Sequence, residues 1–219
     1  MRRTLALVVS MLGLAPVPAG AVIISTTGAM TLTPVPPPTS LAPGMLESST
    51  AILVFDEGPS TLPFTITTNI DVPGTYVGGA IDPGFIFAGT TVNSYIVHFD
   101  PVGSGYASLS GSFTLEALEM IVGIDVLPLE LDVGDPLVGH PLLTYPGGFP
   151  TRGFESLPMP ADSVTWSGGA GPTVSVTLSA ELGIDQMRVF AVMVPEPGSL
   201  ALGAFGLVLL GAVARRRRS

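Results

Sequence analysis

Three turns of one design constrain this chain most: Asp71-Val72-Pro73-Gly74, Asp82-Pro83-Gly84 and Asp100-Pro101-Val102-Gly103. In each, aspartate can accept from the backbone, proline presets φ, and glycine takes the conformation other residues avoid. Between and beyond them the apolar residues recur with a period of two. Phe64, Ile66, Thr68 and Ile70 alternate with Thr65, Thr67 and Asn69; Tyr95, Val97 and Phe99 share one face of 91–99; Val174, Val176 and Leu178 alternate with Thr173, Ser175, Thr177 and Ser179. That period belongs to half-buried strands. With 27 glycines and 22 prolines in 219 residues, a helical bundle is excluded. The expectation is about nine to twelve short strands in an all-β, antiparallel β-sandwich, jelly-roll-like first and immunoglobulin-like second.

Further strands are expected at 22–30, at 51–56 (closed by Glu57-Gly58-Pro59), at 163–167 and at 186–194. The stretch 111–126 reads as two strands or one with a bulge, although Leu115, Leu118 and Val122 keep a helical spacing. Residues 30–44 hold five prolines and read as an extended, polyproline-like connector. Residues 127–152 read as loop.

The two ends differ from this body. Residues 1–21 have the form of a secretory signal: Arg2 and Arg3, an apolar core over 5–14, and Ala19-Gly20-Ala21 as a cleavage site. Cleavage is expected after Ala21, with Ala19 as the alternative. At the other end Pro195-Glu196-Pro197 is followed by an uncharged apolar run, 198–214, and then by Arg215, Arg216, Arg217 and Arg218. As a helix the run reaches roughly 25 Å, at the short end of a transmembrane span. The four arginines should keep their end in the cytoplasm, which leaves the body outside. The domain division is therefore 1–21, a β-sandwich domain over 22–193, and a C-terminal signal over 194–219.

The order and spacing of Pro195-Glu196-Pro197, the short apolar run and the arginine cluster resemble the PEP-CTERM sorting signal of exported bacterial proteins. The resemblance implies recognition of Pro195, Glu196 and Pro197 by exosortase, a membrane-embedded, transpeptidase-like protease, with removal of the run beyond them. It implies that Arg215 to Arg218 act as the inward-facing stop. Within the body, Asn93-Ser94-Tyr95, His98-Phe99-Asp100-Pro101, Leu137-Val138-Gly139, Thr144-Tyr145-Pro146, Arg152-Gly153-Phe154-Glu155 and Asp185-Gln186-Met187-Arg188-Val189 resemble a group of uncharacterised exported proteins with the same tail. That second resemblance implies no activity.

Charge narrows the partners. All eight basic residues are arginines, and only Arg152 and Arg188 lie in the body, against sixteen of the seventeen acids, a net charge of −14. Such a field repels nucleic acid and anionic lipid, and neither is expected as a partner. The chain has no cysteine, which excludes thiol catalysis and thiolate metal sites.

No catalytic motif stands out. His98 and His140 are far apart in sequence and read as structural or surface residues. No cofactor is expected; Asp132 and Asp135 are the candidates if calcium binds. Arg152 and Arg188 are expected to pair with carboxylates, Glu155 and Asp185 being nearest in sequence. Glu116, Glu119, Glu130 and Glu155 could supply a glycosidase pair only if a cleft brought two of them together. Trp166 is expected in the core, a sugar-stacking platform being the alternative. The expected function is a non-enzymatic protein delivered to the cell surface or the extracellular matrix, associated with exopolysaccharide. Its precursor would be held in the inner membrane. The alternatives are a carbohydrate-binding module and a secreted hydrolase.

Overall fold

The computed structural model describes residues 22–34, 39–103, 106–155, 161–180 and 183–194. The expected signal peptide, the Pro195-Glu196-Pro197 strip and the apolar run lie outside these residues. In chain order the elements are β1 (Ile23–Gly28), β2 (Met30–Leu32), β3 (Thr39–Ser40), β4 (Ile52–Thr61), β5 (Ile66–Thr68), β6 (Gly74–Val77), β7 (Gly84–Ile86), β8 (Thr91–Phe99), β9 (Ala107–Leu115), β10 (Glu119–Asp125), α1 (Pro128–Val138), β11 (Leu143–Thr144), β12 (Ser163–Trp166), β13 (Thr173–Ala180) and β14 (Asp185–Met193).

Two five-stranded sheets carry the fold, β1-β9-β13-β12-β6 and β10-β14-β8-β4-β2. Their facing sides meet in one core. Phe113, Leu115, Val164, Trp166, Val174, Val176 and Leu178 come from the first sheet; Val54, Tyr95, Val97, Phe99, Ile124, Met187 and Val189 come from the second. The chain is mostly β, as the alternation requires. Pairing is antiparallel except for β2 with β4 and β3 with β11, which are parallel.

The second sheet is also covered on its outer side, which the alternating pattern did not reveal. Every residue of β8 after Thr91 is buried. Odd positions point into the sandwich. Even positions point outward into two smaller clusters, one around Leu62, Ile66, Ile86, Val92, Val138 and Phe190, the other around Leu41, Phe55, Ile96, Leu131 and Leu143. The cover consists of α1, the β5–β7 ribbon and the β3–β11 pair.

Three expectations are corrected. Residues 128–138 are a helix rather than loop. Pro128 at the first helical turn loses no hydrogen bond, and Gly139 N–H closes the far end on Asp135 O. Leu131 and Val138 are buried beneath it, so tertiary contact overrides the poor helix propensity of Gly134 and Pro136. The run through Glu57-Gly58-Pro59 does not close a strand. It is a bulge in β4, with Gly58 at φ +82°, and pairing with β8 continues to Thr61. In 64–70 only 66–68 form a strand, and Phe64 is 51% exposed rather than on the buried face. The stretch 111–126 does form two strands, and β10 carries a bulge between Ile121 and Gly123.

Candidate functional site

The outward side of β14 carries Gln186, Arg188 and Phe190, because residues two apart on a strand share a face. Arg188 is fully buried. Its Nε donates to Glu57 Oε2 at 2.9 Å and its Nη2 to Glu57 Oε1 at 3.0 Å, a bidentate pair. Nη2 also donates to Asp135 Oδ1 at 2.9 Å, and Nη1 to Leu131 O at 3.2 Å. The β4 bulge sets Glu57 on this side, where the Ser94 and Tyr145 hydroxyls also donate to it. A Cβ on Gly134 would stand 2.6 Å from Arg188 Nη1, so only glycine lets α1 come this close.

Arg152 extends the network. Its Nη1 donates to Asp132 Oδ1 at 2.8 Å and Asp135 Oδ2 at 2.6 Å, its Nη2 to Asp135 Oδ1 at 2.8 Å, and its Nε to Gln186 Oε1 at 2.6 Å. Since Nε–H only donates, the Gln186 amide must turn its NH2 away, toward Leu41 O at 3.1 Å and His98 Nδ1 at 2.9 Å. His98 Nδ1 therefore accepts, and its proton sits on Nε2, 3.4 Å from Met45 O. Burial pulls the His98 pKa down to about 4, so the ring is neutral at pH 7. Burial also pulls on Arg188, but Glu57 and Asp135 more than reverse it and hold the guanidinium charged. The Tyr145 ring lies 5.4 Å from Arg188 Cζ and 6.0 Å from Arg152 Cζ.

The two arginines, Glu57, Asp132 and Asp135 thus form a latch that fixes α1 and the 139–155 segment on the second sheet. Asp132 and Asp135, the calcium candidates, lie on one side of α1 with guanidinium nitrogens on their oxygens. Among the described residues no group of three or more histidine, aspartate or glutamate side chains is arranged around a metal position. The expected pairs Arg152–Glu155 and Arg188–Asp185 do not form. Asp185 and Arg188 are three apart on one strand and point to opposite faces. Beside the latch opens a cleft of ≈ 650 Å³ lined by Asp132, Asp135, His140, Leu143, Tyr145 and their neighbours.

Of the four glutamates only Glu116 and Glu119 are neighbours, in one turn where Glu119 N–H donates to Glu116 O at 2.9 Å. Glu119 is buried between the sheets, where Tyr95 Oη and Asn93 Nδ2 donate to it. Glu130 sits in the first turn of α1. Glu155 lies beside Asp162, whose Oδ2 accepts its backbone N–H at 2.7 Å. Trp166 is a core residue, 4% exposed.

Burial raises the pKa of several carboxylates. Asp125 is pushed up to about 7, against the opposing pull of Arg188. Asp162 and Asp185 are both raised, by burial first and then by neighbouring negative charge. Groups raised in the folded state bind protons there that the unfolded chain has lost. Their contribution is complete at acid pH and disappears as pH rises toward and past 7. His98 acts the other way, but only between about 4 and 6.5. Above pH 6.5 the carboxylates act unopposed, so the melting temperature should fall between pH 6.5 and 8. Asp125→Asn should flatten that fall. Thermal unfolding at closely spaced pH values checks this, and a rise over the interval would contradict it.

The sorting strip begins where the central strand β14 stops. Val194 N–H still donates to Leu118 O at 2.7 Å, and Glu116 N–H donates to Val22 O at 3.1 Å. One turn, 116–119, therefore holds the residue before Pro195 and the first residue of the body. Comparison with protein families identifies the PEP-CTERM protein-sorting motif at residues 194–218. No curated protein and no solved structure matches the chain. The chain is thus an exported, exosortase-targeted protein, with exosortase as its processing partner.

Proposed function

We propose that the chain is a non-enzymatic protein of the cell surface or extracellular matrix, held in the inner membrane as a precursor and released from its tail by exosortase. The observation that carries this reading is the junction at Val194. The motif follows directly on a central strand, so it addresses the whole sandwich rather than a loose appendage. The ionic groups of the body support a structural role, because Arg152 and Arg188 bind carboxylates of the same chain. Fractionation of cells expressing the chain with and without residues 195–219 tests the reading. The full chain should yield a processed product at the surface or in the matrix, and its deletion should change biofilm texture. Retention of intact chain in the inner membrane would refute it.

One observation favours a carbohydrate-binding module as the second reading. The outer side of the first sheet presents a row of hydroxyls across all five strands, Thr27, Ser112, Ser175, Thr165 and Thr75, each paired in register with the next. Thr27 and Ser112 are hydrogen-bonded at 2.7 Å, Thr75 and Thr165 at 2.9 Å. This uncharged face, with a hollow of ≈ 300 Å³ around Ser112 and Ser175, suits a neutral polysaccharide better than a charged one. On that reading Ser175→Glu should weaken retention in affinity electrophoresis through neutral exopolysaccharide by about tenfold. Equal mobility with and without polysaccharide would remove it.

A further inference from the structure

Both terminal segments leave the body at one end. Val22 and Val194 are each hydrogen-bonded to the 116–119 turn, and Ile23 pairs with Leu115 beside Glu119, which pairs with Met193. In the precursor, the segment beyond Val194 is the one read as membrane-spanning, and the segment before Val22 is the one read as a cleaved secretory signal. Only Pro195, Glu196 and Pro197 separate Val194 from the apolar run, a reach of roughly 10 Å even when extended. This end is therefore held close to the bilayer.

The same end carries exposed phenylalanines. Ala191 pairs with Asn93, which sets Met193 level with Thr91 at the start of β8. Next to Thr91 the chain turns through Phe87 and Thr90, with Thr90 N–H on Phe87 O, Leu62 N–H on Thr90 O and Gly89 N–H on Leu62 O. Phe64, Phe85 and Phe87 project from this ribbon and are 51%, 64% and 70% exposed. Phe85 lies on β7 and Phe87 directly follows it, both exposed, while Ile66 and Ile86, paired with each other, are buried. Large exposed rings grouped on a ribbon of neutral residues mark a contact surface. The stretches that carry the rings, 62–68 and 84–90, hold no charged residue, and the nearest carboxylates, Asp71 and Asp82, lie at the Gly84 end of the ribbon, away from Phe87.

We propose that Phe64, Phe85 and Phe87 dock this end of the precursor on the lipid–water interface of the bilayer that holds its tail. The occupant follows from the chain itself, since the apolar run leaves the body at this end with three residues of slack. Rings of this kind insert at the headgroup boundary, where apolar area is buried and nothing charged is desolvated. Docking would present Pro195-Glu196-Pro197 at a fixed height and orientation to a membrane-embedded protease. The proposal rests on the reading of 198–214 as membrane-spanning.

The chain has no cysteine, so a single introduced cysteine gives a single probe site. The full precursor is placed in phosphatidylcholine–phosphatidylethanolamine vesicles with a fluorophore at Phe64→Cys, Phe87→Cys, Val102→Cys or Ala204→Cys, and quenched by lipids bearing a nitroxide at the headgroup boundary or in the acyl chain. Val102 is 58% exposed and follows the other end of β8. Positions 64 and 87 should be quenched several-fold more by the headgroup nitroxide than position 102, and position 204 most by the acyl-chain nitroxide. If 64 and 87 match 102 while 204 is quenched within the acyl region, docking is refuted and the membrane reading survives. If 204 is unquenched, the membrane reading fails and takes the proposal with it.

Discussion

Arg188→Met should destabilise the protein by about 3–5 kcal/mol, because it leaves Glu57 and Asp135 without the guanidinium between them. Glu57 and Arg188 have no exposed side-chain surface, and Asp135 has 10%, so water cannot take the place of the lost partner. At about 2–4 °C per kcal/mol for a domain of this size, the melting temperature should drop by roughly 6–20 °C. The size of the loss reflects stranded charge rather than the worth of the pair. The double variant Arg188→Met with Glu57→Gln should therefore recover part of it, since glutamine can still accept from Ser94 and Tyr145 without a charge to bury. A double variant no more stable than the single one would show that Arg188 acts by packing alone. Gly134→Ala probes the same contact from α1, where a Cβ would press on Arg188 Nη1.

Replacing Pro195, Glu196 and Pro197 together by alanine should abolish processing while leaving the body folded. The three residues follow Val194, the last described residue, whose own N–H is hydrogen-bonded to the sandwich. A proline disfavours helical backbone at the residue before it, and an extended strip is what a protease groove takes up, so alanine removes a restraint that favours recognition. Full-length precursor should then accumulate in the membrane fraction at the expense of product, as read by immunoblot. Unchanged yield of processed product would mean that the tripeptide is not the recognition element.

How much of this was readable beforehand varies along the chain. The strand 91–99 was legible because Tyr95, Val97 and Phe99 share one face, and 173–180 because its outward positions are all hydroxyls. What lay hidden was the third layer. His98, Ser94, Gln186 and Arg188 occupy outward positions that an alternating strand leaves to solvent, and nothing local shows that α1 covers them. The helix itself was obscured by Pro128, Gly134 and Pro136. Two of these serve its start and its approach to Arg188, and local propensity counts all three against it. Charge pairing failed for a related reason. Nearness in sequence suggested Asp185 for Arg188, but the partner is Glu57, 131 residues away, set in place by a bulge. The signals available were Glu57-Gly58 directly after an apolar run and two arginines isolated among acids, each a sign that something specific must meet them. The sorting motif was legible because its meaning lies in linear order and needs no fold.

The mass of the mature protein purified from its native producer tests the central claim most directly. The account predicts a C-terminus close to Pro195-Glu196-Pro197, with the apolar run and all four terminal arginines gone. A native product that ends at Ser219 with Arg215 to Arg218 intact would contradict it.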